Sequence, residues 1–290
     1  MFATTKTTKL KPASIALAQM WRSTLVFAFI ISFASVFAQN LPASPADTYA
    51  RRAGLDRQLE SLAKGTAEQF ATDLSGNPNM SPERRRRVVD AATKIFTAQR
   101  MGQAMRGQLA RTAQEDDLRE AAAFFDGPLG KRIVAAELTQ ADADPNAMQK
   151  RAADLSPTFA IDEPKRYPLA RRLEASLRST EFVLNTVELM AVAALRGAAA
   201  SAGGNRDADI EKLRQRIRAD NAQIAPQLRP IIVVSGSLMY KSLSDDELLA
   251  YVAHAELPSS VRITAALLRS FEGMFDELGL ALTQQLTLTR

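Results

Sequence analysis

Apolar residues along this chain recur every third or fourth position, the spacing that aligns one face of an α-helix. Val88, Ala91, Ile95, Ala98, Gly102, Met105 and Leu109 share such a face, and several are small enough for a neighbouring helix to approach closely. Ser81-Pro82-Glu83 opens this long helix, with a capping side chain followed by proline in the first turn. Leu173, Leu177, Leu184, Val187, Ala191 and Ala194 predict a second long helix. Val261, Ala265, Leu268, Phe271, Phe275, Leu278 and Leu282 predict a third near the end. Ile231-Ile232-Val233-Val234 is strand-like in composition, but an isolated strand has nothing to pair with, so buried helix is expected there. The pattern predicts an all-α protein.

Ser75-Gly76-Asn77-Pro78, Gly127-Pro128 and Ser201 to Asp207 punctuate these helices, and the proline-bearing span 156–168 reads as a linker. The segments on its two sides resemble each other. A shift of 130 residues lays Glu115–Leu138 on Asp245–Leu268 without a gap, and nine of 24 positions then coincide, including Leu118/Leu248, Pro128/Pro258, Arg132/Arg262 and Ile133/Ile263. The same shift lays the Gly76 loop on Gly204–Asp207. This agreement points to a tandem duplication: a helical repeat over 39–155, and a second over 169–290. Each half is expected to hold a long helix, a turn, another long helix and a helix-turn-helix hairpin.

The beginning of the chain reads as a secretory signal over 1–38. Lys6, Lys9, Lys11 and Arg22 precede the apolar run Leu25–Phe37, and Val36 and Ala38 place small residues before a cut at Gln39. The run is shorter than the roughly 20 apolar residues a membrane-crossing helix needs, which favours a cleaved leader over an anchor. With no cysteine after the run, lipid attachment there is excluded. The expected location is the periplasm. The formal charge of the whole chain is +5, of which the leader supplies four, so the remainder is close to neutral and gives no reason to expect a nucleic-acid partner. No disulfide can brace the fold, so stability must come from buried apolar surface.

The hairpin at 115–138 carries the most information. Asp116-Asp117-Leu118 starts a helix presenting Leu118, Ala122 and Phe125; Asp126-Gly127 ends it, with Gly127 expected as a left-handed cap, and Pro128 opens the next helix. Gly130 removes a side chain where the two helices press together. Lys131 and Arg132 lie in a first turn, where the helix dipole disfavours cations; they form either an anion-receptive corner or two solvated side chains. The sequence Phe124-Phe125-Asp126-Gly127-Pro128-Leu129-Gly130-Lys131-Arg132 resembles the aromatic-aromatic-x-x-Pro-x-Gly-Lys/Gln-Lys/Arg hairpin of a bacterial envelope family, catalogued as the domain of unknown function numbered twenty fifty-nine. The resemblance implies a helical, signal-bearing protein with no established activity. The second copy keeps Pro258 and Arg262 but has Ser260 and Val261 in place of glycine and lysine.

The residues for common chemistries are missing. His254 is the sole histidine, and its repeat counterpart is Phe124, so it reads as a packing position rather than a catalytic base. One histidine and no cysteine cannot make a zinc site. Asp142-Ala143-Asp144-Pro145-Asn146 opens like a calcium loop but lacks its later glycine and glutamate, and reads as a polar turn before the helix Asn146–Leu155. The acid pairs Asp116/Asp117 and Asp245/Asp246 are explained by their place at helix starts. Arg84-Arg85-Arg86-Arg87 is either an attachment point for anionic headgroups or an acidic partner, or a solvated helix start beside Glu83 and Asp90. The helix Phe271–Leu286 either docks a partner or dimerises, or is core. The expectation is therefore a non-catalytic envelope binding module with no cofactor or metal. Its candidate interaction residues are Phe124, Phe125, Pro128, Gly130, Lys131, Arg132 and Arg84 to Arg87. Its partner is a protein segment or an amphipathic ligand, with room for a homodimer or peripheral membrane contact. The alternative is an envelope hydrolase using carboxylates alone.

Overall fold

Side-chain caps set where four of the described helices begin. In a computed structural model describing residues 43–75, 80–141, 145–202 and 207–288, Ser44 caps α1 (Pro45–Arg52) in a reciprocal box with Asp47. Gly54, at φ 67°, then turns the chain into α2 (Leu55–Ser75). Ser81 caps α3 (Pro82–Ile95), and Thr97 caps α4 (Ala98–Thr112). The first hairpin is α5 (Glu115–Asp126) and α6 (Pro128–Ala141). Then come α7 (Pro145–Leu155), the single turn α8 (Phe159–Asp162), α9 (Arg166–Leu177), α10 (Ser179–Ala202) and α11 (Asp207–Met239). The second hairpin is α12 (Asp245–Ala255), capped by a Ser244/Glu247 box, and α13 (Pro258–Leu288). Among the described residues there is no strand, and the all-α class holds. The leader 1–38, the cut before Gln39, Asp142 to Asp144 and the loops at Gly76 and Gly204 lie outside the described residues.

Two expected long helices are each broken in two. The stripe from Val88 to Leu109 spans α3 and α4, which part at Phe96 because Thr97 leaves the helix to cap α4, its side chain accepting from Arg100 N at 3.3 Å. Phe96, 2% exposed, fills the break between Phe70 and Phe275, with ring centroids 5.5 and 5.8 Å away. The apolar stripe persists because both helices turn the same face to the core. The stripe from Leu173 to Ala194 is likewise cut at Arg178, which takes the left-handed conformation (φ 52°, ψ 37°) between α9 and α10. Ile231–Val234 lies within α11 as expected, with Val233 and Val234 buried; the helix continues through Pro226 and Pro230. Gly127 is extended (φ −71°, ψ 168°), so it does not act as the left-handed cap that the sequence suggested.

The halves are interleaved. The main core joins α1 to α5 with residues of α10 and α13, so Phe271, Met274, Phe275, Leu278 and Leu282 of the second hairpin lie among residues of the first half. In return, Ile133 and Ala136 of α6 pack with Leu173, Tyr240, Leu248 and Val252 of the second half. α13 is thus core along most of its length, although Val261 remains 46% exposed. The span 156–168 contains α8, whose Phe159 is buried with Ala152 and Val234. α10 is long and apolar enough to cross a membrane by composition, yet 61% of its apolar stretch is buried inside the fold, as in a core helix.

Candidate binding cavity between the hairpins

Contacts between the two hairpins are reciprocal under the 130-residue shift. Arg132 of α6 pairs with Glu247 of α12, and Arg262 of α13 pairs with Asp117 of α5 at 2.6 Å. The shift carries Arg132 onto Arg262 and Asp117 onto Glu247. Phe124 stacks on its own counterpart, His254, with ring centroids 3.5 Å apart and planes at 8°. At the far end of each first helix, Asp126 is held by Arg52 of α1 and its counterpart Glu256 by Arg172 of α9 at 2.7 Å. The Arg262 guanidinium holds Asp117 below the usual carboxylate range, and Lys131, with Arg52, does the same for Asp126.

The residues singled out in the sequence therefore meet groups of this same chain. Phe125 turns inward, edge-on to Tyr49 at 6.2 Å. A Cβ on Gly130 would lie 2.2 Å from Phe124 O and 2.4 Å from Phe125 Cα, so glycine is what lets α6 press against the end of α5. Lys131 Nζ sits 3.1 Å from Asp126, and Arg132 also donates to Ser242 O at 2.8 Å. Pro128 opens α6 at the exposed corner. The run Arg84–Arg87 winds around the first turn of α3, with Arg84, Arg85 and Arg87 half-buried and Arg86 exposed, so it presents no single basic face. Arg85 Nε donates to Met80 O at 3.0 Å.

Beside the Phe124–His254 stack is a cavity of about 180 Å³. Its walls include counterpart positions of unequal size, Phe125 with Ala255 and Tyr251 with Ala121, and one pair of unequal polarity, Glu137 with Leu267. At the first two of these pairs one hairpin supplies a large ring and the other a methyl. Glu137 is 4% exposed; Tyr240 Oη donates to its Oε1 at 2.6 Å. Burial pushes the Glu137 carboxyl up to about 7, with the Tyr240 bond acting in the opposite direction. Burial and the nearby carboxylate raise the Tyr49, Tyr240 and Tyr251 phenols. His254 is half-buried, and that burial lowers its imidazole below the usual range.

Residues 99–158 match the model of a family described as an uncharacterized protein conserved in bacteria (DUF2059). This stretch runs from α4 through the first hairpin to the end of α7 and contains Phe124 to Arg132, on which the resemblance rested. No curated protein and no solved structure matches the chain. The DUF2059 stretch contributes Phe125 and Glu137 to the cavity, and the residues after it contribute Tyr251 and Leu267.

Sequence reasoning passed over Glu137, although a signal was present. Glu137 lies four residues after Ile133, on a face that is otherwise apolar, and its counterpart in the shifted alignment is leucine. A carboxyl on a core-facing stripe is the kind of buried polar group that calls for an explanation.

Proposed function

We propose that this protein is a non-catalytic binding module of the cell envelope, exported and freed of its leader before Gln39, whose inter-hairpin cavity holds a small amphipathic ligand. The observation that carries this reading is the cavity, with apolar walls and one buried carboxyl. Binding sites typically combine an apolar lining with few, well-placed polar groups. The reciprocal hairpin contacts support a tandem duplication in which the second hairpin covers the first, leaving the aromatic pair Phe124/Phe125 to shape an internal site rather than an external surface.

The rival reading, a hydrolase using carboxylates alone, finds three of its four helix-start acids engaged in ion pairs. Asp116 pairs with Arg119 at 2.7 Å, Asp117 with Arg262 and Asp245 with Arg166 at 3.0 Å.

Native mass spectrometry of the protein purified from the envelope fraction tests the binding reading. The expected spectrum contains a bound small molecule, lost in Ala121→Leu, which fills the cavity from its wall. A bare chain mass in every preparation, with no small apolar compound raising the melting temperature, would sink it. Sequencing the amino terminus of the exported protein tests the location; a start far from Gln39 removes it.

A further inference from the structure

The polar and charged groups around the cavity are uneven in sign. Among the described residues lining it there is no lysine or arginine, and Glu137 is its carboxyl group. His254 is disfavoured as a compensating cation, because burial lowers its imidazole against the smaller pull of Glu120, and Phe124 covers one ring face at 3.5 Å. An anionic ligand would meet no cation here and would face a carboxylate. A cation would meet Glu137 and also the aromatic rings of Tyr49, Phe125, Phe182, Tyr251 and Phe271, whose faces attract positive charge. Tyr240 binds one oxygen of Glu137, and a buried carboxylate with one neutral donor is under-compensated. Leu267, which the 130-residue shift lays on Glu137, lines the same cavity with an apolar side chain. The space is of the order of the roughly 150 Å³ cavity that takes up benzene in an engineered protein.

We propose that the cavity recognises a small organic ammonium ion, one benzene-sized apolar group carrying an amine, with its charge on Glu137. The proposal rests on reading the cavity as the ligand site and adds the chemical class of the ligand.

The test is calorimetric titration of the full chain at pH 8 with three probes of similar size: phenethylamine, 2-phenylethanol and 3-phenylpropanoate. The amine is expected to bind at least about tenfold more tightly than the alcohol, and the carboxylate more weakly than both. Glu137→Gln should remove the preference for the amine over the alcohol; Glu137→Leu, which copies position 267, makes the same comparison if the glutamine variant does not fold. Amine affinity should also fall from pH 8 to pH 5.5 in the wild type and less so in Glu137→Gln. The groups facing Glu137 are Tyr49 of α1, Tyr240 of α11 and Tyr251 of α12, whose phenols stay neutral over that range; His254 of α12 is common to both proteins, and the Glu137→Gln control subtracts its effect. Equal affinities for amine and alcohol, or preference for the carboxylate, would overturn the ammonium assignment and leave the binding cavity standing. Binding of none of the three overturns the assignment, and native mass spectrometry then decides the cavity separately.

Discussion

The two hairpins share a frame and differ in the side chains they bring to their junction. Each opens with an acidic turn, buries a leucine at 118 or 248, and restarts at a proline, 128 or 258; each also sends an arginine to the acid of the other. The differences lie where they meet. The first hairpin has Gly130 where the second has Ser260, Phe124 where the second has His254, and Glu137 where the second has Leu267. The first turn is tighter: a Cβ at 130 has no room, whereas Ser260 carries its hydroxyl 3.4 Å from His254 Nε2.

The largest expected break in the comparison comes at the turn. Gly130→Ala drives a methyl into main-chain atoms that cannot rotate away, and should cost about 3 kcal/mol in urea unfolding. Ser260→Ala should cost less than about 0.5 kcal/mol. Equal costs would mean that the two turns are not distinguished by backbone approach.

Next is the exchange of an acid for leucine. Glu137 has a folded-state value of about 7, above the ordinary 4.5, so the fold favours its protonated form. The penalty is absent below pH 4.5, grows as pH rises, and is complete above about 7, where it amounts to about 3 kcal/mol. Glu137→Gln, which keeps an acceptor for Tyr240, should therefore stabilise the protein at pH 8 by about 2 to 3 kcal/mol and leave it unchanged at pH 4. Unfolding curves across that range check this. A gain at pH 4 as large as that at pH 8 would contradict it.

The reciprocal ion pairs should differ in the same sense as their burial. The Asp117 side chain is 7% exposed and that of Glu247 29%. Asp117→Asn should lower the melting temperature more than Glu247→Gln. Both carboxyls sit below their ordinary values in the fold, Asp117 through Arg262 and Glu247 chiefly through the Ser244 amide. The stability they contribute is present above the unfolded-state values and is lost as pH falls through the folded ones, so the difference between the variants should shrink in acid. The smallest effect belongs to the hinges that precede α2 and α10. Gly54 and Arg178 both have positive φ, but arginine is strained there. Arg178→Gly should gain, and Gly54→Ala lose, about 1 kcal/mol. The Arg178–Glu181 pair, more than 40% exposed on both sides, offers little to set against that gain.

The sequence alone determined the helical class and the starts of both hairpins, because capping residues, prolines and the 3.6-residue apolar spacing act locally. It also marked Gly130 as a point of close approach. It could not locate the breaks at Phe96 and Arg178, since an apolar stripe runs unchanged across two helices that share a core face. The site was legible only in fragments: Phe124, His254 and Glu137 each stand in an ordinary helical context. Their assembly depends on contacts between residues more than 100 positions apart, such as Tyr240 with Glu137 and Arg262 with Asp117. Which side chain sets the charge of the cavity was decided by tertiary structure, because desolvation is imposed by neighbours that arrive only when the two halves interleave.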